Sequence, residues 1–246
     1  MKLRILSLLL PLIGAALLPA GAFTEDFGRA PFSQDETAVG VNGWILRSAS
    51  SELGNEAACI RSGGTTSGGQ SLEVVARTEA TFLRNIPNPP LAVSSSKNQS
   101  ISVDLLYENP NDFKSGVVYL AVSTDAGALN IGLTSGEPGA TGVAFVDLGG
   151  NSRRVASPVG TFKEATWYRF TVELYQGGAG HSARIVLAPL DSKGEPASKP
   201  AWETTVPMDG FSPKEINRFD LAVARTGKAT ATRVGRFGAL KVSGSN

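Results

Sequence analysis

The chain has 246 residues, 41% of them hydrophobic and 18% charged, with 23 Lys and Arg against 22 Asp and Glu. These values belong to an ordinary globular protein and exclude a disordered or collagen-like one. The near-zero net charge, with no basic cluster, lacks the electrostatic footprint of a nucleic-acid binder, so no nucleic-acid partner is expected.

The first 22 residues read as a signal peptide. Lys2 and Arg4 form a basic head, residues 5–18 an apolar run, and Ala20, Gly21 and Ala22 a small-residue cleavage site. This pattern predicts cleavage before Phe23 and export to the periplasm or the medium. Pro11 interrupts a run already short for a bilayer span, so no membrane insertion is expected after cleavage. The remainder, residues 23–246, has the length of one β-sandwich domain. Cys59 is the only cysteine, which rules out an intramolecular disulfide. Within Ala57-Ala58-Cys59-Ile60 it reads as a buried small hydrophobe rather than a nucleophile.

In chain order, residues 23–40 hold few alternating apolar positions and read as an irregular opening. Residues 41–46 place a turn before a short strand led by Trp44, and residues 68–75 place a glycine turn before another. Residues 81–86, 99–106, 116–123, 128–134 and 143–148 are β-favouring runs between Pro, Gly, Asn and Ser. In the third of these, Val117, Tyr119 and Ala121 stand opposite Val118, Leu120 and Val122. A strand apolar on both faces is central, with its outer face covered or forming the floor of a groove.

Residues 166–194 are the clearest hairpin. Tyr168, Phe170, Val172 and Leu174 alternate with Arg169, Thr171 and Glu173, and a turn around Gly177-Gly178-Ala179-Gly180 leads to Ala183, Ile185 and Leu187. In residues 191–217, Pro196, Pro200, Pro207 and Pro213 are expected to prevent regular pairing. Ser212-Pro213-Lys214-Glu215 has the form of a capping box and predicts one helical turn. Residues 217–224 and 238–243 return to strand. Roughly a dozen strands without a long helical pattern predict an all-β fold, a two-sheet antiparallel β-sandwich of the jelly-roll kind.

Phe23-Thr24-Glu25-Asp26-Phe27, Asn42-Gly43-Trp44 and Gly69-Gln70-Ser71-Leu72 resemble the opening of concanavalin A-like or laminin-G-like jelly-roll domains of exported bacterial proteins. The hairpin after Trp167 and the strand Arg218-Phe219-Asp220-Leu221-Ala222-Val223 follow in the order the resemblance implies. That fold serves lectins, glycan-binding modules, glycosidases, lyases and adhesion domains, and fold alone does not fix function. The resemblance also implies a structural calcium near Glu25 and Asp26, completed from the last strands. There, however, Arg236-Phe237-Gly238 replaces the family's usual Asp-Asn.

The residues point to no catalytic group. A glycosidase needs two facing carboxylates, and Glu25, Asp26, Asp35, Glu36, Asp104, Glu108 and Asp112 form no such alternating set. A sandwich lyase uses a Tyr or His base beside an Arg and an amide. The single His181 sits at a glycine turn, where a solvated polar role is the plain reading. No Gly-x-Ser-x-Gly elbow is present, and one His with one Cys cannot build a tetrahedral zinc site. No cofactor is expected beyond that calcium.

Sugar recognition uses aromatic faces with planar polar groups beside them. Trp202, in the proline-rich stretch, is the first candidate platform, although a tryptophan in a long loop also anchors it to the core. Tyr119 and Asn130 can floor a cleft, with core packing the alternative for Tyr119, and Tyr107 is a further candidate. The reading is an exported non-catalytic binding or surface module with a glycan or cell-surface polysaccharide as ligand. A carbohydrate-active hydrolase or lyase and a purely structural envelope domain are the alternatives. No feature of the sequence sets an oligomeric state.

Overall fold

The computed structural model describes residues 22–66, 68–77, 79–93, 98–108, 116–134, 143–148, 154–155, 165–177, 180–225 and 232–244. Residues 1–21 of the predicted leader (1–22) and the middle of the predicted hairpin turn (178–179) lie outside them. The described strands are β1 (Phe23–Asp26), β2 (Ile45–Ser48), β3 (Ala58–Ser62), β4 (Gln70–Ala76), β5 (Thr81–Asn85), β6 (Leu91–Ala92), β7 (Gln99–Glu108) and β8 (Gly116–Thr124). They continue as β9 (Gly127–Thr134), β10 (Val143–Leu148), β11 (Arg154–Val155), β12 (Tyr168–Gly177), β13 (Gly180–Pro189), β14 (Trp202–Pro207), β15 (Glu215–Arg225) and β16 (Arg233–Gly244).

The strands form two antiparallel sheets. Sheet A runs β14-β13-β12-β7-β16-β4-β3, with β1 also paired to β16. Sheet B runs β11-β10-β9-β8-β15-β5-β2, with β6 also paired to β15. The expected all-β two-sheet antiparallel sandwich is the observed architecture. β8 lies inside sheet B between β15 and β9, as its two apolar faces required. The hairpin of β12 and β13 pairs in continuous register from Tyr168↔Pro189 to Gly177↔Gly180.

Period-2 alternation sends one side of each strand into a shared core. β8 contributes Val118, Leu120 and Val122, β15 contributes Phe219, Leu221 and Val223, and β12 contributes Phe170 and Val172, all fully buried. Gly235 on β16 sits where the two sheets touch. A Cβ there would lie 2.6 Å from a Val223 methyl and 2.7 Å from a Val118 methyl, closer than van der Waals contact permits.

Three expectations are corrected. Residues 23–40 are not wholly irregular, because Phe23↔Val242 through Asp26↔Ala239 pair β1 with β16. Phe23, Glu25 and Phe27 point inward, and the carboxylate in the middle conceals the alternation. Glu25 is only 6% exposed and accepts hydrogen bonds from Trp44 Nε1 at 3.0 Å and Asn42 Nδ2 at 3.1 Å.

Residues 191–217 also contain a strand. β14 pairs with β13 from Leu187↔Trp202 to Ser182↔Pro207. As the outermost strand of sheet A it tolerates a proline at its end, where the missing N–H breaks no ladder. The helical turn at residues 212–215 does not form. Ser212 Oγ donates to Gln176 Oε1 at 3.1 Å, which turns its side chain toward β12. The N–H groups of Lys214 and Glu215 instead donate to Asp125 Oδ1 at 2.8 and 3.2 Å, and β15 starts at Glu215.

Two measurements check these contacts. Glu25→Ala leaves the buried Trp44 N–H without an acceptor and should lower unfolding free energy by about 1–3 kcal/mol in urea titration. The backbone N–H of Lys214, with that of Glu215, holds the Asp125 carboxyl below its ordinary value against a weaker opposing effect of desolvation. Its stabilisation is therefore present above the unfolded-state pKa, about 3.9, and is lost as pH falls through the lower folded value. Asp125→Asn should flatten the acid limb of the stability curve below about pH 4, measured by unfolding midpoints across pH.

Candidate functional site

The outer faces of the two sheets differ in kind. On sheet A, charges alternate along the strands and meet their opposites across them. Arg169 is bidentate to Asp104, at 2.6 and 2.8 Å. Arg184 donates to Glu203 at 2.8 Å and to Glu173 at 3.0 Å, and Tyr175 donates to Glu173 at 2.7 Å. Burial pushes the Glu173 carboxyl up, but the hydrogen bonds from Tyr175 and Arg184 outweigh it and hold it below the ordinary range. Arg236 completes this lattice on Glu73 at 3.0 Å. Such a face is internally satisfied.

Sheet B carries a different row. Phe82, Ala222, Tyr119 and Gly132 stand side by side on β5, β15, β8 and β9. The Phe82 and Tyr119 rings meet edge to face over Ala222, centroids 6.4 Å apart. Gly132 is itself buried against Tyr119, and only glycine fits there, because a Cβ would strike Val118 O and Tyr119 Cβ. The neighbouring row is Arg84, Asp220, Ala121, Asn130 and Asp147. Asp220 and Asn130 are thus both diagonal neighbours of Tyr119, at about 7–8 Å in sheet geometry, with Ala121 between them.

Asp220 is 4% exposed although it faces outward. Arg84 covers it, with Nε 2.5 Å from Oδ1 and Nη2 3.2 Å from Oδ2. Arg218 Nε lies 2.9 Å from Oδ2, charge beside charge, but is misaligned for a hydrogen bond. Burial first, and the negative Asp220 second, push the Tyr119 hydroxyl above its ordinary pKa. The result is a half-buried aromatic face, an amide and an ion-paired carboxylate around the short side chain of Ala121.

The four residues singled out from sequence separate into two pairs. Tyr119 and Asn130 come together on the outer face of sheet B. Tyr107 points inward from β7 and is 1% exposed. Trp202 also points inward, partly buried at the edge of the core and edge to face with Phe170 at 6.4 Å. Phe82, Arg84, Arg218 and Asp220 were missed, although Arg218 and Asp220 alternate with Phe219, Leu221 and Val223 and so had to share the outer face of β15.

The calcium implied by the resemblance does not fit. Glu25 receives two N–H donors, and Asp26 receives the Gly28 N–H at 2.9 Å and the Arg29 guanidinium at 3.1 Å. Donor groups aimed at both carboxylates occupy the lone pairs a cation would use. Among the described residues no group of three or more His, Cys, Asp or Glu converges. Among them, too, no helix is long and apolar enough to cross a membrane.

No protein-family model and no curated protein sequence matches the chain. Solved structures do. An endo-1,3-beta-glucanase from Streptomyces sioyaensis superposes with a TM-score of 0.60 at 12% identity, covering 93% of this chain and 98% of that one. A carbohydrate esterase from the Shiga toxin-encoding bacteriophage phi24B gives 0.58 at 12%, covering 91% and 97%. Lectin II from Ulex europaeus gives 0.50 at 10%, covering 92% and 98%. At such identities the likeness establishes architecture and leaves activity to the individual site. The chain has the concanavalin A-like jelly-roll fold.

Proposed function

We propose that the protein is an exported, non-catalytic glycan-binding module whose ligand surface is the outer face of sheet B around Tyr119 and Asn130. The observation that carries this reading is the meeting of the half-buried Tyr119 ring with an amide and an ion-paired carboxylate in the adjacent strands, with only the short Ala121 side chain between them. That short side chain lets a saccharide ring approach the sheet. The aromatic face takes the C–H side of the sugar, and planar polar groups take its hydroxyls. The carbohydrate-associated structures that share this fold support the ligand class.

Two features favour binding over chemistry. Asp220 and Asp147 are separated by three strand spacings, about 14 Å at the backbone. A hydrolase places its two carboxyls about 5–9.5 Å apart. An eliminating base must be able to lose its proton, and burial together with the negative Asp220 makes that harder for Tyr119 than for a free phenol.

A glycan array with wild type, Tyr119→Ala and Trp202→Ala tests the reading. Wild type should bind at least one polysaccharide class, and Tyr119→Ala should weaken it about tenfold or more, equal to about 1.4 kcal/mol. Trp202→Ala should lower the thermal midpoint while leaving affinity within about twofold, since its ring packs on Phe170 rather than facing ligand. No binding by wild type to any glycan would sink the proposal.

A further inference from the structure

A second concavity lies where β5 ends. The chain leaves sheet B at Asn85, runs through Ile86-Pro87-Asn88-Pro89-Pro90 and returns as β6, enclosing with Phe23 and Asn42 a cavity of about 450 Å³. This is within the range of small-ligand sites, about 300–1,000 Å³. It shares no lining residue with the row around Tyr119. Three prolines give its wall a rigid backbone that cannot fold back into the sheet as a strand.

The floor of the cavity is built. Asn85 is 4% exposed, and its Nδ2 donates to Asn42 O at 2.8 Å. Asn42 holds a left-handed backbone at φ 49° and donates its own Nδ2 to Glu25, which Trp44 fixes from below. This chain of donors sets the orientation of the Asn85 amide. Its Nδ2 is spent within the protein, no donor among the described residues is recorded on its Oδ1, and the residue lines the cavity. At the rim Ile86 is 58% exposed.

Among the described residues, no charged side chain lines the space. An ionic ligand would lose hydration there without a counter-charge, because the Glu25 carboxylate behind Asn42 is already taken by two N–H donors. The lining instead offers an aliphatic wall of Ile86, Leu91 and proline rings, an acceptor at Asn85 and the exposed amide of Asn88. We infer that this cavity is a second ligand site, independent of the Tyr119 face, and that it takes a neutral sugar unit. The C–H face of the ring lies on Ile86 and Leu91, and one hydroxyl donates to Asn85 Oδ1.

Titrating the purified protein with cellobiose, followed by backbone amide NMR shifts, tests the assignment. The expected result is saturable shifts confined to Asn42 and to the N–H-bearing residues of 85–92, namely Asn85, Ile86, Asn88, Leu91 and Ala92, weakened about tenfold or more by Ile86→Lys. Ile86 is exposed, so this variant should fold as wild type does, and unchanged shifts elsewhere would verify that. Tyr119→Ala should leave the cavity shifts intact, which separates this site from the sheet B face. Glucuronate and glucosamine serve as charged controls and should give no saturation at these residues. The inference is overturned if cellobiose gives no saturable shifts at residues 85–92, if Ile86→Lys leaves them unchanged, or if the charged sugars bind there as well as the neutral one.

Discussion

The structure depends on how closely its two sheets meet. At Gly235 the backbone of β16 lies against the methyls of Val118 and Val223, and no side chain fits between them. The single cysteine rules out an internal disulfide, so apolar burial across this seam carries the stability a bridge would otherwise share. The inner side of every long strand is therefore committed to packing. Only the outer faces, the edges and the ends of the sandwich remain for recognition.

Those outer faces have taken different courses. Sheet A spends its charges on one another, as in the Arg169–Asp104 and Arg184–Glu173 contacts, so approach by a polar ligand would have to break existing pairs. Sheet B concentrates bulk in Phe82 and Tyr119 and leaves only the short Ala121 side chain beside them. Contrast between large and small neighbours makes relief on a sheet, and relief makes a surface selective. The same logic operates at the end of β5, where prolines supply relief without side-chain bulk.

Much of this was legible in the residues. Alternation alone placed the β12–β13 hairpin and the double-apolar β8, because a strand's period needs no knowledge of its partner. What was hidden involved partners far away in sequence. The pairing of Arg84 with Asp220 spans 136 positions, and nothing local to either residue announces it. Asp125 captured the backbone that Ser212 was expected to cap, and a buried carboxylate at Glu25 disguised β1. Trp202 looked like a loop residue because the prolines around it obscured an edge strand, and an edge strand has an inner side like any other.

The position of β16 has a further consequence for how the molecule comes into being. It is the latest strand in the chain, yet it sits between β7 and β4 and also holds β1. Until it arrives, β4, β7 and β1 each present an unsatisfied backbone edge. Sheet A thus cannot be completed by stepwise growth during synthesis. Without β16 its strands fall into three pieces, the β14-β13-β12-β7 set, the β4-β3 pair and β1, and insertion of one late strand joins them, so the interval before insertion is when the chain is most open to pairing with its neighbours.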